Sequence, residues 1–445
     1  MLTKNPFSNL ATILAFLCLV VTNTDGQTPQ IQRRMPETKL PDVRFPAGAN
    51  VIEVPFEAEG NHIVIPVSVN GSRPLRFVFD TGAPGAVLNN SAVADSLNLK
   101  ISGTRQVRGA GGGGAVLEVK VAANVNFNVG GLELSNGNLS VLPRPLRGYD
   151  GVIGSPLFAT TVVEIDWEQK VIKFYEPAKY KYSGSGSVLP LTFDEGGRPY
   201  TTAAVMVAGD KAIPVKLVVD TGGAHALLLE PASGSEIKLP EGATKTSLGI
   251  GASGEITGYT VRVKNFQLGN YSVKDVPTGF PDASSGTAGL GGRDGNLGGG
   301  VLRRFKVIYD YSRKQMIIEP NKFINEPFGV AMRNVPTTSV EVAPATLQDY
   351  VGKYGNKEIS VKEGGLYYQR IGGRGTGLRA TGKDKFALNT DAQITFVRDA
   401  KGVVTEMIIE WVDRDKEQLK REPPTRAVNK SNNQLQTKMQ IRSLT

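Results

Sequence analysis

The chain says similar things twice. Residues 77–82 read FVFDTG and residues 217–222 read LVVDTG. Each copy is an apolar run that ends on an aspartate, followed by a small hydroxyl residue and a glycine. The same elements then follow in the same order. A glycine-rich run comes first (VRGAGGGGAVLEVKV, 107–121; LGIGASGEITGYTVRV, 248–263), then an Asp-Gly turn (GYDGVIGSPLF, 148–158; GRDGNLGGGVL, 292–302). Last is a pair of apolar runs about a polar turn (VVEIDWEQKVIKFYEP, 162–177; KVIYDYSRKQMIIEP, 306–320). The offset stays near 140 residues throughout, which predicts two homologous lobes, 46–182 and 186–322, joined at YSGSGS.

Within each lobe, strict alternation in HIVIPVSVN, VLEVKV and YTVRV predicts half-buried strands between glycine turns. Helix is confined to short turns such as NSAVADSLN. The fold class expected is all-β. A third region, 342–422, opens TLQDYVGKYGNKEISVKEGGLYYQR and alternates in the same way, predicting a small separate β domain. Its LQDYVGKY motif resembles the β domain appended to some bacterial serine hydrolases, which implies no chemistry. Residues 27–45 and 323–341 have the prolines and charges of linkers.

Three aspartates recur in register: Asp80 with Asp220, Asp150 with Asp294, and Asp166 with Asp310. The last two pairs precede glycines or sit between two strands, where turn chemistry accounts for them. An Asp-Thr-Gly triplet is expected roughly once per several thousand positions. Two at the repeat offset make Asp80 and Asp220 the candidate catalytic pair. Gly82 and Gly222 would let backbone N–H groups approach the carboxylates where a side chain would obstruct.

Other chemistries lack their residues. There is no G-x-S-x-G, H-E-x-x-H or phosphate-binding loop. Gly109, Gly111 and Gly114, and again Gly249, Gly251 and Gly254, match G-x-G-x-x-G, but strand-like alternation follows where a dinucleotide site needs a helix. The two histidines, His62 and His225, are too few for most metal sites, and no metal or cofactor is expected. His62 lies in a strand and reads as structural; His225 sits three residues after the second loop's glycine, where packing is the simpler account and a place in the cleft the other.

Residues 1–26 read as a secretory signal, with Lys4 in a polar start, an apolar run from Leu10 to Val21 too short to span a bilayer, and TNTDGQ around the expected cut. The one cysteine, Cys18, would leave with it, which excludes disulfides and thiolate chemistry in the mature chain. Export to a bacterial periplasm or the exterior is expected, with no transmembrane span in the mature chain. The net charge of +9 is spread along the sequence, so nucleic acid is not an expected partner. Only the tail, 423–445, is locally basic, with Arg426, Lys430, Lys438 and Arg442, and it reads as disordered.

FVFDTGA and LVVDTGG resemble the active-site loops of aspartic proteases of the pepsin and retroviral type, in which two lobes each give one Asp-Thr-Gly loop to a shared cleft. The resemblance covers residues 46–322 and includes the apolar-apolar-Gly element Val152, Ile153 and Gly154. It implies two β-barrel lobes with a cleft between them, a catalytic Asp80/Asp220 pair, and a peptide or protein substrate. It implies also that Thr81 and Thr221 hydrogen-bond across to the opposite loop, and that the tip at Gly109, Gly111 and Gly112 is a flap over the bound peptide. Two carboxylates held close cannot both ionise cheaply, so they share a proton, and the pair can activate water without a metal.

The pattern departs from the family in places. Many pepsin-like loops carry Ser or Thr after Asp-Thr-Gly, whose hydroxyl supports the outer carboxylate oxygen; this chain has Ala83, usual in the retroviral type, and Gly223. Asn296 stands where Val152 stands in the first lobe, within the glycine-rich LGGRDGNLGGG, whose composition predicts poor order. These departures keep an alternative open: a protease-fold protein that binds peptides or cell-envelope ligands and cuts weakly or not at all. Two loops in one chain make a dimer unnecessary for the site and leave the oligomeric state open.

Overall fold

A computed structural model describes residues 40–89, 91–143, 149–230, 236–285, 292–328, 339–362, 364–370, 375–388, 392–411 and 416–423. The expected signal, most of the first linker, residues 329–338 of the second and the basic tail beyond 423 lie outside the described residues.

Alternating sequence closes into barrels. In His62–Val69, the side chains of Ile63, Ile65, Val67 and Val69 are buried together. That strand joins Leu75–Phe79, Gly151–Ile153, Ala86–Leu88, Leu132–Val141 and Val116–Val129 in a ring that closes back on itself. The second lobe repeats the ring strand for strand: Pro199–Met206, Ile213–Asp220, Gly295–Gly298, Leu227–Leu229, Tyr271–Pro281 and Glu255–Leu268. The protein is all-β, with two closed barrel lobes built alike.

Asp42–Arg44, within the segment expected to be linker, forms an edge strand against Leu132–Val141. The glycine-rich segment around Asn296 is ordered where it is described: Gly295–Gly298 is a buried strand. A Cβ on Gly295 would lie 2.0 Å from the Leu228 carbonyl oxygen, so the glycines there serve close approach of backbones rather than mobility.

The lobes share a third, six-stranded sheet. Val51–Pro55, Val171–Tyr175 and Val162–Asp166 come from the first half, and Phe305–Asp310, Gln315–Pro320 and Ser187–Pro190 from the second. Its middle pairing, Val163 with Tyr309 and Ile165 with Val307, is antiparallel about Glu164 and Ile308, so an approximate two-fold axis passes there. Buried side chains run without a break through both lobes and this sheet, with Phe79 stacked on Phe158 at 4.3 Å and Phe158 edge-on to Tyr309 at 5.3 Å.

The C-terminal region has a core of its own, built on Tyr350, Tyr354, Phe386, Phe396 and Met407, and two small antiparallel sheets. It touches the first lobe through Arg370, 3.7 Å from the buried Glu59, which also pairs with Arg76 at 3.0 Å. Among the described residues no helix is long and apolar enough to cross a membrane.

Candidate active site

The same local construction positions each Asp-Thr-Gly loop. In the first lobe, Gly151–Ile153 runs parallel to Leu75–Phe79 and antiparallel to Ala86–Leu88, between the two strands that flank the loop. The Ile153 carbonyl accepts from the Asp80 N–H at 3.0 Å. In the second lobe, Gly295–Gly298 takes the same place between Ile213–Asp220 and Leu227–Leu229. The turn aspartates brace both copies: Asp150 accepts from the Arg76 N–H at 2.9 Å and Asp294 from the Lys216 N–H at 2.8 Å. Asp166 and Asp310 accept backbone N–H bonds within their own turns. Neither pair belongs to the site.

The two threonines interlock the loops. The Thr81 hydroxyl donates to the Val219 carbonyl at 2.6 Å and accepts from the Thr221 N–H at 3.0 Å. The Thr221 hydroxyl donates to the Phe79 carbonyl at 2.8 Å and accepts from the Thr81 N–H at 3.0 Å. Both threonines are buried, so four bonds away from water hold one loop to the other.

Asp80 and Asp220 face each other above this grip, each only partly buried. The Gly82 N–H donates to Asp80 Oδ1 at 2.6 Å and the Gly222 N–H to Asp220 Oδ1 at 3.0 Å. A Cβ on Gly222 would sit 2.2 Å from the Asp80 Cγ, and one on Gly82 3.0 Å from Asp220 Oδ1. Only glycine permits that approach. Burial, the neighbouring Asp220 charge and a hydrogen bond with Asp220 hold the Asp80 carboxyl well above the usual carboxylate range, against the opposing pull of the Gly82 and Gly222 N–H groups. Beneath the pair, burial and then the Asp220 charge push the Tyr309 hydroxyl up.

The glycine runs are the tips of two hairpins, Ile101–Arg108 with Val116–Val129 and Thr244–Ile250 with Glu255–Leu268. The tips meet. Gly109 donates to the Ser253 hydroxyl at 3.0 Å, that hydroxyl donates to the Ala115 carbonyl at 2.7 Å, and the Ser253 N–H donates to the Ala110 carbonyl at 3.0 Å. Gly111 has φ +86°, and a Cβ there would come within 1.9 Å of the Gly254 carbonyl oxygen; at Gly112 it would lie 2.3 Å from the Ser253 carbonyl oxygen. The sequence gives the two runs no sign of contact, because nothing in either names its partner.

Sequence reasoning left Asn296 without a place in the site and gave His225 a place in the cleft only as the second account. Asn296 Nδ2 donates to Asp220 Oδ2 at 2.7 Å, and His225 Nε2 lies 2.9 Å from Asn296 Oδ1. A polar residue where the repeat has Val152 is the signal that could have found them. His62 is buried beside the Tyr149 hydroxyl at 3.4 Å, in a packing role. Among the described residues no group of three or more His, Cys, Asp and Glu side chains could hold a metal ion.

Two closed β-barrel lobes, each giving one Asp-Thr-Gly loop to a common seam, define the two-lobed aspartic protease class. Residues 65–157 and 203–301 each match the family described as aspartyl protease, and the two lobes belong to that family. No curated protein matches the chain. Among solved structures it is similar to the aspartic proteinase from Irpex lacteus, at 14% identity and a TM-score of 0.43, covering 62% of this chain and 99% of that one.

Proposed function

We propose that the chain is an exported aspartic endopeptidase that hydrolyses peptide bonds with a water activated between Asp80 and Asp220. One observation carries the reading: the two carboxylates oppose each other within hydrogen-bond reach, with a glycine N–H on each and a crossed threonine grip below. A proton shared by such a pair leaves one carboxylate to take a proton from water and one carboxyl to give a proton to the peptide oxygen. The raised Asp80 carboxyl supports that sharing. The substrate is an extended peptide, admitted when the hairpin tips part. Export rests on residues 1–26 as a signal, and residues 342–422 are assigned as an accessory domain.

The test is to incubate the full chain with a diverse peptide library at acid and neutral pH and to read the products by mass spectrometry. Wild type is expected to cut. Asp80→Asn and Asp220→Asn are expected to cut nothing while keeping the wild-type circular dichroism. Wild type without products, or either variant with full activity, overturns the proposal.

A further inference from the structure

The two halves of the site are not equivalent, and the differences in the second lobe converge on one atom. Asp220 Oδ1 takes the Gly222 N–H, as Asp80 Oδ1 takes that of Gly82. Asp220 Oδ2 takes a further bond from Asn296. Asn296 lies in the buried strand beside Val218 and Leu228; the matching place in the first lobe, beside Val78 and Val87, is held by Val152, which has no donor.

The contacts orient the amide. The Asn296 NH2 faces Asp220 and its Oδ1 faces the imidazole, and an amide oxygen only accepts. His225 Nε2 therefore carries a hydrogen and donates at 2.9 Å. The histidine in turn needs space. A Cβ on Gly223 would lie 2.4 Å from His225 Cε1, so no larger residue fits there with the ring in place. The first-lobe position corresponding to His225 is Gly85, where a Cβ would meet nothing within 4 Å. Gly223, His225 and Asn296 are three departures from the repeat that make one device.

We infer that Asn296, oriented by His225 in the space left by Gly223, is a positioning residue that donates to Asp220 Oδ2 and so keeps the negative charge on Asp220 and the shared proton on Asp80. The inference rests on the activity proposed above and assigns its two roles. Asp220 takes a proton from water as the water oxygen bonds to the peptide carbon. Asp80 gives its proton to the carbonyl oxygen, and the pair ends with Asp220 protonated and Asp80 ionised. Asp80 across the seam and the Tyr309 hydroxyl beneath are the ionisable groups that act on Asp220, with the His225 imidazole behind Asn296.

The test is titration of the full chain labelled with 13C at aspartate carboxyls, with Asp80→Asn and Asp220→Asn used to assign the pair. Asn296→Val places the first lobe's own residue in the second. It is expected to raise the lower apparent pKa of the pair by about one pH unit, the effect of losing one hydrogen bond to a charged group. His225→Leu is expected to move it the same way, and His225→Gln, whose side-chain amide can still donate to Asn296, to return it toward wild type. In peptide cleavage the acid limb of kcat/KM is expected to move by the same amount with KM unchanged. A lower pKa unmoved in Asn296→Val, or His225→Gln behaving as His225→Leu, overturns the inference. A wild type that cuts no peptide overturns the proposed activity instead, and the carboxyl titration still decides the role of Asn296.

Discussion

Replacing Thr221 by valine keeps the side chain's shape and removes only its hydroxyl. That hydroxyl donates to the Phe79 carbonyl at 2.8 Å and accepts from the Thr81 N–H at 3.0 Å, and the residue is 3% exposed. The change therefore leaves one buried carbonyl and one buried N–H without partners. Each such group costs about 1–3 kcal/mol, so the pair costs about 2–6 kcal/mol, with about 4 kcal/mol expected. Thr221→Ser keeps both bonds and loses one methyl, for about 1 kcal/mol. Urea unfolding measures the difference: with a slope of about 3 kcal/mol per molar, the valine variant unfolds about 1 M below the serine variant. Trp167, buried in the core shared by the lobes, reports the transition once Trp411 is replaced by phenylalanine. If the valine and serine variants unfold at the same midpoint, the grip does not hold the lobes and the reasoning fails. Thr81→Val, which strands the Val219 carbonyl and the Thr221 N–H, should match Thr221→Val.

Asp80 holds its proton more tightly folded than unfolded, so stability falls as pH rises from the unfolded value to the folded one. Asp80→Asn should thus show no gain in thermal midpoint over wild type at pH 3 and a clear gain at pH 7; an equal gain at both would contradict the burial account. Gly222→Ala, with its new methyl 2.2 Å from the Asp80 Cγ, should cost about 1–3 kcal/mol in urea and disable peptide cleavage, whereas wild-type stability would show that the loops do not approach as described. Ser253→Ala removes the acceptor of the Gly109 N–H, and hydrogen exchange at that amide should quicken about tenfold; unchanged exchange would mean the tips are not latched.

The repeat made the lobes legible because each Asp-Thr-Gly loop is set by neighbours in sequence: an apolar strand before it, a small hydroxyl after it and a glycine beyond. Gly109 and Ser253, by contrast, are 144 residues apart, and His225 and Asn296 are 71 apart. Those contacts exist only because the barrels close and the two-fold brings the hairpins together. Asn296 was visible as an interruption of the apolar pattern, but its partner could not be read from the strand that holds it. The segment LGGRDGNLGGG misleads for a related reason: glycine content is read as mobility, while here Leu228 and His225 press against the backbone and require it. Arg370 reaching Glu59 left no local trace at all, since a buried pairing between regions 311 residues apart has no periodicity to show.

The six-stranded sheet carries a consequence for any attempt to divide the polypeptide. A break at YSGSGS would leave Val162–Asp166 as a bare edge on one fragment and Phe305–Asp310 as a bare edge on the other. Raw edges of that kind seek a mate. Co-produced fragments would reassemble along the old junction, and a fragment made alone would be driven to pair with its own twin, giving a symmetric particle in which both loops carry Asp80 or both carry Asp220.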